Sequence, residues 1–326
     1  MKKDNLTFID LFAGIGGFRL ALEEFGLKCV YTSEWDEPAK DVYEQNFGDR
    51  PHGDITKINE KDIPKHDIIC AGFPCQAFSI SGKRQGFNDT RGTLFFDVAR
   101  IAKHHKPKIL FLENVRNFEK HDNGKTLEVI KKTLNDIGYN VFYKVLNASH
   151  YGAPTGRQRI YIMGFRKDLG IDHFEFPKPT NEQIKLQDLL ESDSKTNDYV
   201  IERDDIKLRD IKVTKNMFGE YPLKPVRVGT LNGGGQGERI YSDLGHAITF
   251  SAYGGGAGSK TGAYLINGRV RKLSPKEASR VMGFPEDYKI HKNKNQAYKQ
   301  FGNSVVIPVL KKIFEQTLNT LNKNYA

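Results

Sequence analysis

From Thr7 to about Lys185, short apolar runs alternate with longer stretches whose apolar residues recur three and four positions apart. Short runs of this kind predict strands, and the longer spacing predicts helices with one buried face. The strands are expected at Thr7–Leu11, Lys28–Thr32, Asp67–Ala71, Ile109–Glu113, Tyr139–Leu146 and Ile160–Phe165. Helices are expected at Gly17–Phe25, Pro38–Asn46, Thr93–Lys103 and Gly124–Ile137. In the last of these, Leu127, Val129, Ile130, Leu134 and Ile137 keep the spacing of a face packed on a sheet. Strand–helix alternation is the signature of an α/β domain built on a parallel sheet.

The pattern breaks at Phe176-Pro177-Lys178-Pro179. Beyond it, the chain is richer in glycine and polar residues, with the runs Gly233-Gly234-Gly235 and Gly254-Gly255-Gly256. A small, mostly β domain is expected there. Ser274-Pro275-Lys276-Glu277 then reads as a helix start, with serine as cap, proline at the first position and glutamate in the first turn. A final helix over about Ser304–Leu321 is apolar enough to return to the large core. The expected division is therefore 1–185, a small domain over 186–273, a hinge over 274–302, and a C-terminal helical segment over 303–326 that rejoins the first domain.

Composition narrows the function. The chain has 326 residues and a formal charge of +10, from 50 Lys+Arg against 40 Asp+Glu. No apolar stretch approaches the ~20 residues that a membrane-spanning helix needs. A cytoplasmic protein without membrane partners is expected. The positive balance makes a polyanion worth testing as partner. Lys103-His104-His105-Lys106-Pro107-Lys108 and Arg269-Val270-Arg271-Lys272 are basic clusters that face either phosphates or solvent. The three cysteines, Cys29, Cys70 and Cys75, include no CxxC pair, which gives neither a disulfide framework nor a metal site.

The first strand runs into Phe12-Ala13-Gly14-Ile15-Gly16-Gly17 and then a helix. Glycines at such a turn let backbone approach a ligand, and the helix start offers free N–H groups. Glu34, after the second strand, is placed to accept from ribose hydroxyls, and Asp54 lies where an adenine edge would fall. Trp35, the sole tryptophan, adjoins Glu34 and is suited to stacking on a base. The alternative is a tight strand–helix turn with a core tryptophan, and a nicotinamide cofactor fits the glycines nearly as well as S-adenosylmethionine.

Ala71-Gly72-Phe73-Pro74-Cys75-Gln76 follows the third core strand, at the sheet edge where ligands bind in such folds. The segment from Phe78 to Gly92 has the small-residue content of a mobile lid. Cys29 and Cys70, within apolar strands, fit buried inert thiols. Glu113 ends the fourth strand on the same rim as Cys75, and Arg157-Gln158-Arg159 precedes the last strand.

Asp10-Leu11-Phe12-Ala13-Gly14-Ile15-Gly16-Gly17, Gly72-Phe73-Pro74-Cys75-Gln76, Glu113-Asn114-Val115, Arg157-Gln158-Arg159 and Gln300-Phe301-Gly302-Asn303-Ser304-Val305 occur in one order along nearly the whole chain. In these motifs the chain resembles the C5-cytosine DNA methyltransferases of bacterial restriction–modification systems. The resemblance implies a Rossmann-like, S-adenosylmethionine-dependent methyltransferase domain with a small, mostly β target-recognition domain. It implies that Cys75 attacks C6 of a cytosine flipped out of the duplex, since neither C5 nor C6 is reachable inside the stack. Glu113 would hold N3 and the exocyclic amine, Arg159 the O2 edge, and Arg157 is placed with them in the catalytic set. The methyl donor would be held by Phe12, Gly14, Gly17, Glu34, Trp35, Asp54, Ile55, Leu94 and Asn303. Ser81 would meet the DNA from the lid. The family's usual glutamine two residues before the first arginine is Thr155 here, which leaves one supporting hydrogen bond open.

Target choice would lie in the small domain, at Gln236, Arg239, Thr249 and Tyr253, within segments similar to those of family members that methylate the first cytosine of GCGC. Arginine suits a bidentate contact to guanine. The implied partners are double-stranded DNA and, genetically, a cognate restriction endonuclease, with the enzyme acting as a monomer. Three alternatives compete: an RNA cytosine-C5 methyltransferase, a silent DNA-binding protein that kept the fold, and a nicotinamide oxidoreductase supported only by the glycine turn.

Overall fold

The computed structural model describes residues 6–74, 94–180, 182, 184–211, 213–217, 219–235 and 237–324. They form two compact units, one of residues 1–146, 159–177 and 313–326 and one of residues 147–158 and 178–312.

In the first unit, six strands form one sheet: β1 (Thr7–Leu11), β2 (Lys28–Ser33), β3 (Ile68–Ala71), β4 (Ile109–Val115), β5 (Tyr139–Asn147) and β6 (Gln158–Arg166). Their order is β2-β1-β3-β4-β6-β5. Pairings β1–β2, β1–β3 and β3–β4 are parallel, but β6 runs antiparallel to β4. The expectation of a purely parallel sheet is corrected at that edge. A parallel return needs a crossover of a dozen or more residues, usually a helix. The 148–157 connection carries only the three-residue 3-10 turn Ala148–His150, so the chain comes back reversed.

The helices of this unit are α1 (Gly17–Glu23), α2 (Glu37–Phe47), α3 (Leu94–His105) and α4 (Lys125–Asp136). Alternation along the strands divides the core. Ile9, Leu11, Ile69, Ala71, Leu110 and Leu112 share one buried cluster with Val98, Ile101 and Ala102 of α3 and Leu127, Ile130 and Leu134 of α4. On other strand positions, Phe111 meets Phe18 of α1 edge-on, with centroids 5.1 Å apart.

The second unit holds a five-stranded sheet of order β11-β10-β9-β8-β7. Its strands are β7 (Lys207–Leu208), β8 (Arg227–Thr230), β9 (Arg239–Ser242), β10 (Ala263–Ile266) and β11 (Arg269–Lys272). Asn267 and Gly268 join β10 to β11 with φ of 49° and 76°. Two positive φ values are what the tight asparagine–glycine hairpin turn requires. Val228, Leu231, Ile240, Ala263 and Val270 make a small core of their own.

A single turn, α5 (Asp193–Thr196), precedes this sheet, and α6 (Pro275–Val281) and α7 (Lys294–Asn303) follow it. At α6 the anticipated start is present in full: Ser274 Oγ accepts from Glu277 N at 3.1 Å, and Glu277 Oε2 accepts from Ser274 N at 2.8 Å. No helix was read at α7, whose polar run carries few apolar positions. It is started by Asn293, whose Oδ1 accepts from the backbone N–H groups of Asn295 and Gln296. The last helix, α8 (Ile307–Asn324), belongs with the first unit from Ile313 onward, where Phe314 meets Phe25 at 5.3 Å. Among the described residues no helix is long and apolar enough to cross a membrane.

Candidate active site and recognition segments

The glycine turn after β1 is strained, and its neighbours hold it. Phe12 has φ of 57°, Gly14 54° and Gly16 79°. A left-handed conformation costs a non-glycine residue about 1–2 kcal/mol, so Phe12 needs support from its surroundings. Support comes from Ala13 N donating to Ser33 O at 3.0 Å and Gly16 N to Ala13 O at 2.8 Å. At Gly16 a β-carbon would stand 2.3 Å from the Phe47 ring, whereas at Gly14 it would meet nothing within 4 Å. Gly14 therefore borders open space, and Gly17 begins α1 just behind it.

Glu34 secures this turn to the end of β2. Its Oε2 accepts from Gly14 N at 2.8 Å, and its Oε1 accepts from Trp35 N and Asp36 N, both at 2.8 Å. A carboxylate offers about four acceptor positions, which leaves one for a further donor. Burial raises the Glu34 pKa above the ordinary carboxylate value, while the three N–H groups oppose that rise. The alternative of a core tryptophan fails, because Trp35 is 77% exposed. Asp54 caps the 3-10 turn Ile55–Lys57 by accepting from Thr56 N at 3.0 Å, and Ile55 is buried beneath it. Leu94 opens α3, half-buried.

Beneath the turn, Asp10 is fully buried, and among the described residues its carboxyl oxygens find no hydrogen-bond partner. Burial pushes its pKa well above the ordinary value, against the nearby charge of Arg19. Burial also pushes the Cys29 thiol up to about 12 and raises that of Cys70, so neither supplies a thiolate near neutrality.

At the carboxyl end of β4, the register sets Val115 opposite Arg159 and Glu113 opposite Tyr161. Glu113 and Arg159 are thus diagonal neighbours, within reach of long side chains. Arg159 Nε stands 3.0 Å from Glu113 Oε1, with about a tenth of each side chain exposed (12% and 9%). Asn114, to which no role was given in advance, donates from Nδ2 to Phe73 O at 2.9 Å and accepts Val115 N at 2.8 Å. Phe73 is buried among Phe95 and Phe118, while Pro74 is exposed. A core anchor and a side-chain hydrogen bond thereby hold the backbone that leads to position 75. Cys75, Ser81 and Gln236 lie outside the described residues.

Arg157 is placed differently from Arg159. It is 2% exposed and gives its guanidinium to backbone carbonyls: Nη1 to Phe250 O at 3.3 Å, and Nη2 to Gly302 O at 3.0 Å and Ser304 O at 2.5 Å. Thr155 is buried and donates to Ile248 O at 3.0 Å, so the residue that replaces the usual glutamine still supplies a side-chain hydrogen bond. Thr249 Oγ1 donates to Gly156 O at 3.0 Å.

The two glycine-rich segments of the second unit meet backbone to backbone. Gly258 N donates to Gly237 O at 2.9 Å, and a β-carbon on Gly237 would lie 2.6 Å from Gly255 O. Arg239, exposed at the start of β9, and Tyr253, 75% exposed, present their side chains to solvent.

The chain belongs to the family described as C-5 cytosine-specific DNA methylase, whose match covers residues 6–319. By that membership it is a DNA (cytosine-5-)-methyltransferase. It is 58% identical to the Type II methyltransferase M.HhaI of Haemophilus parahaemolyticus, over 97% of this chain and 95% of that one. It is 44% identical to the Type II methyltransferase M.HpaII of Haemophilus parainfluenzae, over 99% and 92% of the two chains. Among solved structures, the S. pombe Dnmt2 methyltransferase superposes with a TM-score of 0.72 over 97% of this chain and 99% of that one; at 21% identity this likeness concerns the fold alone.

Proposed function

We propose that this DNA cytosine methyltransferase is the modification enzyme of a type II restriction–modification system, with S-adenosylmethionine as methyl donor and Cys75 as nucleophile. The observation that carries the reading is the Glu113–Arg159 pair at the carboxyl rim of the sheet, beside the Asn114-anchored backbone that leads to Cys75. Such a pair offers a carboxyl group and a guanidinium to one heterocycle, matching the N3 and O2 edges of cytosine.

The donor fits the residues present. Gly14 borders open space, Glu34 keeps one acceptor position, and the exposed Trp35 ring is available for stacking. When bound, the donor supplies an electrophilic methyl group on a sulfonium. Phe12, Gly17, Asp54, Ile55 and Leu94 complete its contacts from the first unit, and the family resemblance adds Asn303.

The chemistry follows from the base's poor reactivity. A bond from Cys75 Sγ to C6, with Glu113 holding N3, places the electron pair at C5, where the methyl group is accepted. Loss of the C5 proton and cleavage of the S–C6 bond then restore the aromatic ring and the thiolate. Flipping exposes both faces of that ring. Arg239, Thr249, Tyr253 and Gln236 are assigned to the target, with GCGC methylated at its first cytosine, and Ser81 to the DNA beside the flipped base.

Sequencing methylated bases in DNA from cells expressing the chain tests this directly. The expected result is 5-methylcytosine in GCGC and resistance of the plasmid to cleavage there. Methylation at another site rejects the target, methylation of transfer RNA alone rejects the polymer, and the absence of an adduct at Cys75 with 5-fluorocytosine DNA rejects the mechanism.

A further inference from the structure

Arg157 is buried and charged, and it donates to three main-chain carbonyls. A buried charge is costly unless it is paired or richly hydrogen-bonded, and here carbonyls of its own unit supply the compensation. Gly302 is in the last turn of α7 and Ser304 is its C-cap, so their carbonyls belong to the negative end of the helix dipole. The third carbonyl, that of Phe250, lies next to Thr249. Between the two α7 carbonyls sits Asn303.

A second observation joins the same two segments. A β-carbon on Gly302 would lie 2.3 Å from Ala252 N and 2.5 Å from the Ser251 carbonyl carbon. The end of α7 is thus pressed against the 251–252 backbone, with no room for a side chain. On its other side, the 247–250 segment is bound to the 148–157 connection, which carries Arg157 and belongs to the same unit. Gly156 N donates to Ala247 O at 2.8 Å, and Thr249 Oγ1 returns a hydrogen bond to Gly156 O at 3.0 Å.

We propose that Arg157 is a positioning residue, not a group that touches the pyrimidine: its guanidinium clamps the backbone around Asn303 to the Thr249–Tyr253 segment, so that one side chain sets both the donor contact and the target contact. This rests on the donor and target assignments made above. A lysine cannot substitute, because a point charge on a flexible stem does not span three carbonyls as a rigid fork does.

The test measures S-adenosylhomocysteine binding in the absence of DNA by calorimetry, together with single-turnover methylation at saturating DNA and donor, for wild type, Arg157→Lys and Gly302→Ala. Val270→Ala, in the separate small core, serves as a control for general destabilisation. Lysine loses the fork that spans the three carbonyls, so Arg157→Lys is expected to weaken S-adenosylhomocysteine binding by roughly tenfold or more. It is also expected to narrow the discrimination between the target and one-mismatch sites, with the saturated single-turnover rate reduced far less than the affinity. Gly302→Ala should show the same signature with the arginine intact, which keeps the test alive if Arg157→Lys does not fold, and Val270→Ala should show neither effect. Unchanged S-adenosylhomocysteine affinity in both variants overturns the proposal, as does a collapse of the saturated rate with affinity preserved, which would place Arg157 on the base. Should the wild-type chain bind no S-adenosylhomocysteine and methylate no DNA, the functional reading itself falls, an outcome separate from either.

Discussion

Glu113 Oε1 and Arg159 Nε stand 3.0 Å apart across the antiparallel pair β4–β6, in side chains about nine-tenths buried. Only the reversal of β6 brings them together on one face. Opposite charges at this separation in a poorly hydrated site hold each other's geometry before any base arrives. For Glu113→Gln, loss of the ionisable group at N3 is expected to slow single-turnover methylation by roughly 10²–10⁴-fold, the usual contribution of a positioned acid–base group. A rate near wild type, measured with rapid-quench sampling at saturating DNA, would remove Glu113 from the chemistry.

Glu34 accepts three backbone N–H groups around the glycine turn, so its replacement should be felt as donor affinity. In Glu34→Gln one acceptor oxygen becomes a donor facing an N–H group, at a cost of about 1–3 kcal/mol, or roughly 5- to 150-fold in affinity. Because Trp35 is the only tryptophan and is exposed, its emission reports binding directly. Titration with S-adenosylhomocysteine should change Trp35 fluorescence in wild type, shift to higher concentration in Glu34→Gln, and lose its signal in Trp35→Phe.

Asp10 gives the protein a pH-dependent stability of defined sign. Its folded pKa is raised by burial, so the native state binds more protons than the unfolded chain. Its contribution is fully present below the unfolded aspartate value of about 3.9 and is lost as pH rises from there through the elevated folded pKa. Asp10→Asn cannot titrate. Urea melts at a series of pH values should therefore show wild type losing stability toward high pH relative to the variant; parallel curves would mean that Asp10 does not titrate on unfolding.

Arg271 and Glu277 form a fully buried bidentate pair, with both hydrogen bonds at 2.7 Å, at the exit from β11. Glu277 also accepts from Ser274 N and Glu191 N, so it binds α6 to the preceding chain. Removing one partner of a buried pair leaves an uncompensated charge, and Glu277→Leu or Arg271→Met should each cost about 3–5 kcal/mol. In a double-mutant cycle, Arg271→Met/Glu277→Leu should cost less than the sum of its single changes. Additive losses in denaturant melts would show that the two side chains are not energetically coupled.

Much of the architecture is legible in local pattern. Strand and helix positions in the first unit agree with hydrophobic spacing to within a few residues, and Ser274-Pro275-Lys276-Glu277 started a helix as its chemistry requires. The polar α7 escaped because its helicity is secured by the Asn293 cap and by burial of only Ala297, Tyr298 and Phe301 among its apolar residues, too sparse a stripe to stand out. Arg157 and Arg159, neighbours in one motif, have different partners: main-chain carbonyls for Arg157 and Glu113 for Arg159.

What the sequence determined by itself was the order of motifs, the glycine turn, and the alternation that makes an α/β unit followed by a glycine-rich one. These are properties of neighbouring residues, set by backbone sterics and by which face of an element is apolar. The tertiary structure alone decided that Glu113 meets Arg159, that Asn114 holds Phe73, and that Arg157 spends its charge on the carbonyls of residues 250, 302 and 304. Those contacts join segments far apart in the chain, and they exist only where strand direction, register and burial bring the groups within reach of one another.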